Sequence, residues 1–399
     1  MQFTADQHLL KDLNRMALVR QLSARPGQSR AALAEALQLT KSTVSALVKE
    51  LIAEGWLLER DVVATGELGR RPTPLFIDPG RLVLLGAELG VDGVQVVATS
   101  LAGDVLARAR SPLDAGRDAT LALARTAKLL QQAHARLDLA SQQVIGIGVG
   151  LPGGVDEQRG HLHFAHNLGW RDLPAGLLLA EHLRATALQS VPLFVQNDAD
   201  AAALGELEFG GEGASDPLIY LSLGLGVGAG IVVEDRLLTG AHGLAGEVGH
   251  MVLELDGPRC SCGRRGCAEA VIGFRAMLPA GEADAGVAEI QRRLHAKQAG
   301  TADAVASAGR YLGMLLGNLG AAYDPGRIVL GGAAVELGAP FLEAAFHALE
   351  SQAAAAGVAP PTVTLSRFGA DAVAVGAAAL ARYRLTRPLI AARRLAAAA

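Results

Sequence analysis

The sequence predicts an α/β protein in which two similar lobes follow a small helical unit at the N-terminus. Three observations lead there. From about Arg81 onward, apolar runs closed by glycine turns alternate with helical periodicity, the pattern of strand-then-helix units that hold ligands at strand ends. A strand, a glycine turn and hairpin strands occur in that order twice, in LVLLGAELGVDGVQVVATSLAGDVLARAR and from Leu218 in IYLSLGLGVGAGIVVEDRLL. Residues 1–79 follow neither pattern and read as a separate helical unit.

Composition agrees. A chain of 399 residues is expected to form two or three domains, and half of its residues are apolar. Aromatics are only 4% and glycines number 48, so the cores are expected to close by tight backbone packing. A net charge of −4 excludes a protein coated by nucleic acid but leaves room for a small DNA-reading module. The start, MQFTADQHLLKDLNR, has charges where a signal peptide needs an apolar core. No run of about 18 apolar residues marks a membrane span. Together with few, clustered cysteines, this points to the cytoplasm and to no membrane partner.

Taken in order, the chain opens with an amphipathic helix from about Asp6 to Ala24. Leu9, Leu10, Leu13, Met16, Ala17 and Leu22 are the candidates for its buried face, and Arg25-Pro26-Gly27 ends it. Ser29 caps a short helix through Leu37, and Thr40 caps a second, Lys41 to Glu54. In that helix Val44, Leu47, Val48 and Leu51 make one apolar face, and Lys41, Ser42, Thr43, Ser45 and Lys49 lie opposite. Trp56 to Arg60 and Pro74 to Ile77 read as strands of a wing whose tip carries Arg70 and Arg71. The pattern is a winged helix-turn-helix, with hydroxyls able to reach base edges and wing arginines suited to phosphates. Lys and Arg number ten and Asp and Glu nine across residues 1–79, so the basic side chains must be segregated to one face. A helical protein-interaction module is the competing reading.

Further on, a helix is expected from Ala119 to Leu137, a strand from Val144 to Val149, and a turn at Leu151-Pro152-Gly153-Gly154. Another strand ends at Phe194–Asp198 and opens a helix from Ala199 to Glu206. Residues 385–399 read as a small helix or frayed tail, which leaves 80–384 as the two-lobed domain.

All three cysteines, Cys260, Cys262 and Cys267, fall within eight residues, with His250 upstream. C-x-C-x4-C plus a histidine suits a closed, four-coordinate structural zinc ion, one per chain; unrelated thiols or a strained disulfide are the alternatives. Glu247 and Glu269 bracket this knuckle, so a closed metal would hold Glu247, His250 and Glu269 around a polar ligand.

This stretch, AGEVGHMVLELDGPRCSCGRRGCAEA, resembles the signature of the ROK family (repressors, open reading frames and sugar kinases). The resemblance implies a two-lobed, actin-like ATPase fold over about residues 80–384, preceded by the winged helix of the family's repressor branch. It implies that the Glu-x-Gly-His and Cys-x-Cys-Gly-x-x-Gly-Cys-x-Glu elements bind zinc and sugar hydroxyls. It also implies sugar contacts at Asn197 and Asp198, the latter the base in kinases, and at Asn167. Asp198 alone would equally serve as a helix N-cap. Family kinases carry Asp-x-Gly-Gly-Thr at the first hairpin; here the run is Glu88-Leu89-Gly90-Val91-Asp92, which crowds and repels a triphosphate. Leu225 stands where the second glycine loop of kinases has threonine. The expected function is therefore a sugar-responsive repressor that binds operator DNA as a homodimer or higher homo-oligomer, with a sugar or sugar phosphate as effector. An ATP-dependent sugar kinase with an appended DNA module is the enzyme alternative. A zinc-sensing regulator is the other.

Overall fold

The computed structural model describes residues 7–60, 73–113, 118–211, 215–282 and 285–387. In the N-terminal module, α1 (Gln7–Ala24), α2 (Arg30–Ala36) and α3 (Lys41–Glu54) enclose a core that includes Leu18, Leu22, Leu33, Val44 and Leu51. Local sequence sets the boundaries. Ser29 accepts from the Ala32 amide at 3.2 Å, and Thr40 accepts from the Thr43 amide at 3.1 Å. Gly55 stops α3 at φ 85°, where a Cβ would also strike the Arg81 side chain at 2.4 Å. Strands β1 (Leu57–Glu59) and β2 (Leu75–Ile77) pair antiparallel as the base of the wing. The expected buried face of α1 needs correction. Leu10 is exposed and Leu9, Leu13 and Ala17 are half-buried, whereas Leu18 and Val19 join Met16 and Leu22 in the core. Burial is confined to the second half of the helix, so its apolar stripe runs past the surface available to cover it.

Next come β3 (Leu82–Leu89), β4 (Gly93–Ser100), β5 (Val105–Pro112), α4 (Ala119–His134) and β6 (Gln143–Leu151). A small antiparallel sheet follows, β7 (Gly154–Asp156), β8 (His161–Ala165) and β9 (Trp170–Leu173), which periodicity did not suggest. Then come α5 (Ala175–Leu183), β10 (Leu193–Asn197) and α6 (Asp198–Phe209). The second lobe contains β11 (Leu218–Leu223), β12 (Val227–Val233), β13 (Arg236–Leu237), α7 (Ala268–Ile272), α8 (Phe274–Met277) and α9 (Gly286–His295). It continues through α10 (Thr301–Tyr323), β14 (Arg327–Gly331), α11 (Ala339–Ala356) and β15 (Val363–Leu365) to α12 (Ala372–Leu385). The two large sheets are ordered β10-β6-β3-β4-β5 and β15-β14-β11-β12-β13. Each joins an antiparallel three-strand ribbon to two parallel strands, so the repeat seen in the sequence is a structural duplication.

Two helices cross between the lobes. Helix α6 leaves first-lobe strand β10 and packs on β11 and β12, while α12 leaves β15 and packs on β3, β6 and α6. Their contact is built from atoms of backbone and methyl size. A Cβ on Gly376 of α12 would lie 2.2 Å from the Ala201 carbonyl oxygen of α6, and beneath the same helix one on Gly148 of β6 would lie 1.8 Å from the Ala377 carbonyl oxygen. This explains why the chain is rich in glycine and alanine and poor in aromatics.

The first residues of the expected tail are held by the fold. Thr386 and Arg387 are buried, and Arg387 pairs with Glu208 at 2.6 Å and Asp235 at 2.8 Å, so the chain stays anchored past α12. Residues 388–399 lie outside the described residues. The N-terminal module rests on this anchor: Arg382 donates to Ser23 Oγ and Arg20 to the Thr386 carbonyl. Trp56 and Ile77 pack against both the module core and the core around α12. No helix among the described residues is long and apolar enough to cross a membrane.

Gly148→Ala is expected to destabilise the fold by at least about 2 kcal/mol in urea unfolding, because the added methyl meets backbone that cannot give way. Gly224→Ala, where a Cβ meets nothing within 4 Å, should stay within about 0.5 kcal/mol.

Candidate ligand cavity, metal centre and DNA-facing helix

A cavity of about 380 Å³ opens between the lobes, within the size range of small-molecule sites. Duplication brings the tips of two equivalent hairpins to it. Gly90 donates to the Gly93 carbonyl at 2.8 Å in one tip, and Gly224 to the Gly226 carbonyl at 3.0 Å in the other. Val91, Asp92 and Leu225 sit at these tips and line the cavity. The start of α6, the residues after β8, and the knuckle before α7 complete the wall.

The structure brings Asn167, Asn197, Asp198, Glu247, His250 and Glu269 together on this wall. Asn197 is the α6 N-cap: its Oδ1 accepts from the Asp200 amide at 3.1 Å, and its Nδ2 donates to the Gly153 carbonyl at 2.9 Å. The capping role considered for Asp198 thus belongs to Asn197. Asp198 Oδ1 accepts from the Ala199 amide at 2.8 Å, and burial pushes its carboxyl up to about 6. Glu247 rises to about 7, first by burial and then by the charges of Asp198 and Glu269. Glu88 rises to about 8, again by burial first and Asp198 second. Several carboxyl groups are therefore held in one low-dielectric space, in positions suited to accepting from or donating to ligand hydroxyls.

His250, Cys260, Cys262 and Cys267 offer ligand atoms that all lie within 4.8 Å of one another, a cluster able to hold a metal ion. A tetrahedral zinc ion with bonds of about 2.3 Å to sulfur and 2.0 Å to nitrogen needs edges of roughly 3.8 and 3.6 Å. Cys262 and Cys267 sulfurs are 3.8 Å apart, and Cys260 Sγ is 3.6 Å from His250 Nδ1, so the residues fit. The 3.8 Å sulfur separation also rules out a disulfide, and all three cysteines are free. His250 turns its other nitrogen, Nε2, toward Glu247 Oε2 at 3.8 Å. Glu269 accepts from Ser261 Oγ, between two of the cysteines, at 2.5 Å. The knuckle thus positions both glutamates directly.

Some participants carried no sequence signal. Arg275 donates to Asn167 Oδ1 at 2.9 Å and lies 3.9 Å from Glu269, tying the lobes' two contributions together. His166 stacks on Phe164 and meets His250 edge-on with ring centroids 5.8 Å apart. Asp200 faces the cavity from the first turn of α6, where an acidic residue is ordinarily read as a partner for the helix dipole.

On the DNA-facing helix α3, Lys41, Ser42, Ser45 and Lys49 are exposed on one side. Thr43 is half-buried, and its hydroxyl lies 2.8 Å from that of Thr40. The acidic residues of the helix are drawn to the other side: Lys11 pairs with Glu50 at 2.8 Å and Arg15 pairs with Glu54. Helix α1 thereby supplies the segregation of charge that the near-balanced composition demands. Arg70 and Arg71 lie outside the described residues.

Comparison with known proteins agrees with this architecture. The ROK family model matches residues 84–384 and the MarR family model residues 12–64. The xylose repressor of Bacillus subtilis (strain 168) is 31% identical over 342 residues, covering 83% of this chain and 85% of that protein. The crystal structure of a ROK family transcriptional regulator, a homologue of the E. coli MLC protein, superposes with a TM-score of 0.74 at 24% identity, covering 96% of this chain and 98% of the other. The ROK hexokinase from Thermus thermophilus gives 0.62 at 30% identity, covering 76% and 99%. The chain belongs to the ROK family and carries a MarR-type winged helix ahead of its ROK domain.

Proposed function

We propose that this protein is a sugar-responsive transcriptional repressor of the cytoplasm: residues 1–79 read an operator, and the cavity of residues 80–384 binds the effector. The observation that carries the reading is the physical continuity between the two. Asp198, at the start of α6, faces the cavity; Glu208, near its end, grips Arg382 and Arg387, with Glu208 Oε2 3.3 Å from Arg382 Nε. Arg382 in turn holds Ser23 of α1. A ligand that favours one arrangement of the lobes therefore acts on the helix that braces the DNA-facing one. The similarity to a protein named xylose repressor, over 83% of this chain and 85% of that protein, supports the same reading. Two copies per operator follow from reading two half-sites.

Asn167, Asn197, Asp198, Glu247, His250 and Glu269 are assigned to the sugar, and His250 with Cys260, Cys262 and Cys267 to one zinc ion per chain. The zinc would be structural, with no open position for chemistry. Lys41, Ser42, Thr43, Ser45, Lys49, Arg70 and Arg71 are assigned to DNA. Phosphoryl transfer is disfavoured because Val91, Asp92 and Leu225 stand at the two tips where a triphosphate would need bare backbone and a hydroxyl. Hexose phosphorylation above background that Asp198→Asn abolishes would establish the kinase reading instead.

Elemental analysis should find one zinc per chain, and Cys262→Ser should lose both the metal and sugar binding while keeping operator binding. Metal-free protein that binds sugar normally would refute the assignment.

On DNA, Lys49→Ala should weaken operator binding and flatten the salt slope by about one unit, whereas Ser45→Ala should change sequence preference more than affinity. Deleting residues 1–79 without loss of specific binding would contradict the reading.

The effector should change operator affinity about 5–150-fold, as a coupling of roughly 1–3 kcal/mol allows, and more in the direction of release. Asp198→Ala and Glu247→Ala should abolish the response and leave sugar-free DNA binding nearly intact. Arg382→Ala should keep sugar affinity but reduce the response. Operator titrations with and without a sugar panel decide this; variants that respond as wild type place the effector elsewhere.

A further inference from the structure

Resting on the sugar reading above, we propose that the cavity selects an unphosphorylated sugar, with the Asp200 carboxylate and the Tyr220 hydroxyl as additional ligand-recognising groups on its floor. Two observations independent of the residues already assigned carry this. Asp200 is 3% exposed and its Oδ1 has no partner within the protein; Tyr220 is fully buried and its hydroxyl has none either. Both residues line the cavity. An unmatched buried acceptor and an unmatched buried hydroxyl are each costly, and such groups in a cavity wall point to a ligand that brings the missing donors and acceptors. Vicinal sugar hydroxyls do both.

The charge around them defines the ligand further. Seven carboxylate residues line the cavity, among them Glu88, Asp92, Asp198, Asp200 and Glu336, and no lysine or arginine does so among the described residues. The nearest guanidiniums are committed or outside the wall. Arg275 is held by Asn167, Arg110 by Asp371 at 2.9 Å, and Arg264 is exposed on the knuckle. Asp200 itself lies in the field of Asp198 and Glu247, and Tyr220 in that of Glu206, Glu88 and Asp198. A phosphate ester brings about 1.5 to 2 negative charges and needs arginine, lysine or a cluster of amides. Here it would find no lining cation among the described residues to offset its charge in a space of low dielectric. A neutral polyol loses nothing to that field and gains acceptors for its hydroxyls. Asp200 is thus a specificity residue, held in an unfavourable state until the ligand arrives.

The test is calorimetric titration of the full-length, zinc-loaded protein with D-xylose, D-glucose and D-ribose, each beside its terminal phosphate ester. At least one free sugar should bind, and its ester at least about 100-fold more weakly. Asp200→Ala should lower affinity for that sugar by about tenfold or more and raise the melting temperature of the sugar-free protein. Asp200→Asn, which keeps one acceptor, should fall between. An ester that binds as tightly as its parent overturns the selectivity. Affinity within twofold of wild type in Asp200→Ala, or a lowered melting temperature, overturns the role of Asp200. Binding of no sugar or ester overturns the sugar reading itself, and this inference with it.

Discussion

The crossing of α6 and α12 is the contact on which the rest of the molecule depends. Each helix starts from a strand of one lobe and packs on the sheet of the other, so neither lobe is complete alone. The approach is close enough that Gly376 of α12 meets the Ala201 carbonyl of α6 with no room for a Cβ. Contacts this short hold a few discrete packings and resist continuous deformation. That is the property a two-state switch requires. The ends of the same helices make the two functional connections: Asp198 faces the cavity at one end of α6, and Glu208 joins Arg382, Arg387 and the N-terminal module at the other.

Much of this was legible in the sequence where a local rule acts alone. The α3 boundaries follow from Thr40, from the Val44-Leu47-Val48-Leu51 stripe and from Gly55, all within one element. The metal cluster is nearly as local, since its four residues lie within eighteen positions and coordination geometry limits their spacing. The duplicated lobes were readable because each hairpin repeats the same glycine-closed pattern. Elements whose burial depends on distant partners were less readable. Periodicity alone placed Leu10 on the inner face of α1, but the module offers that turn nothing to pack against. The segment after α12 looked like a tail because Glu208 and Asp235, which hold Arg387, are more than 150 residues away. Arg275 and Asp200 escaped notice for the same reason. Each has an ordinary sequence environment and becomes significant only when two lobes meet.

The knuckle is where the proposed structural ion would contribute to recognition without touching the ligand. Its ligands come from a stretch with several glycines, two of which, Gly263 and Gly266, adopt φ of 90° and 66°. Such a loop has high conformational entropy when unfolded, and little apolar surface of its own compensates for ordering it. The tetrahedral ion proposed above would supply that compensation and order His250, which faces Glu247 at 3.8 Å, and Ser261, which donates to Glu269. The proposed hydroxyl-binding groups would thus be positioned by metal coordination geometry on one side and by the α6 N-cap on the other.

The proposed preference for a free sugar and the disfavoured phosphoryl transfer would share a physical basis. A site that transfers phosphate must stabilise a highly anionic ligand, which restricts the number of ionised carboxylates near it. Once phosphate binding is relaxed, carboxylates become the better choice on that wall, because they accept hydrogen bonds from a neutral polyol and exclude its phosphorylated relatives. Asp92 at the first hairpin tip, Glu88 beneath it and Asp200 on the floor fit that sequence of changes together, although each alone reads as an ordinary acidic residue. Burial raises Glu88, Asp198, Asp200 and Glu247, so the sugar-free cavity holds its acids at a cost to stability. A ligand that satisfies them relieves that cost only in the lobe arrangement where all of them converge. In the function proposed above, binding energy would thereby become a preference between packings of α6 and α12, which the DNA-facing module would sense.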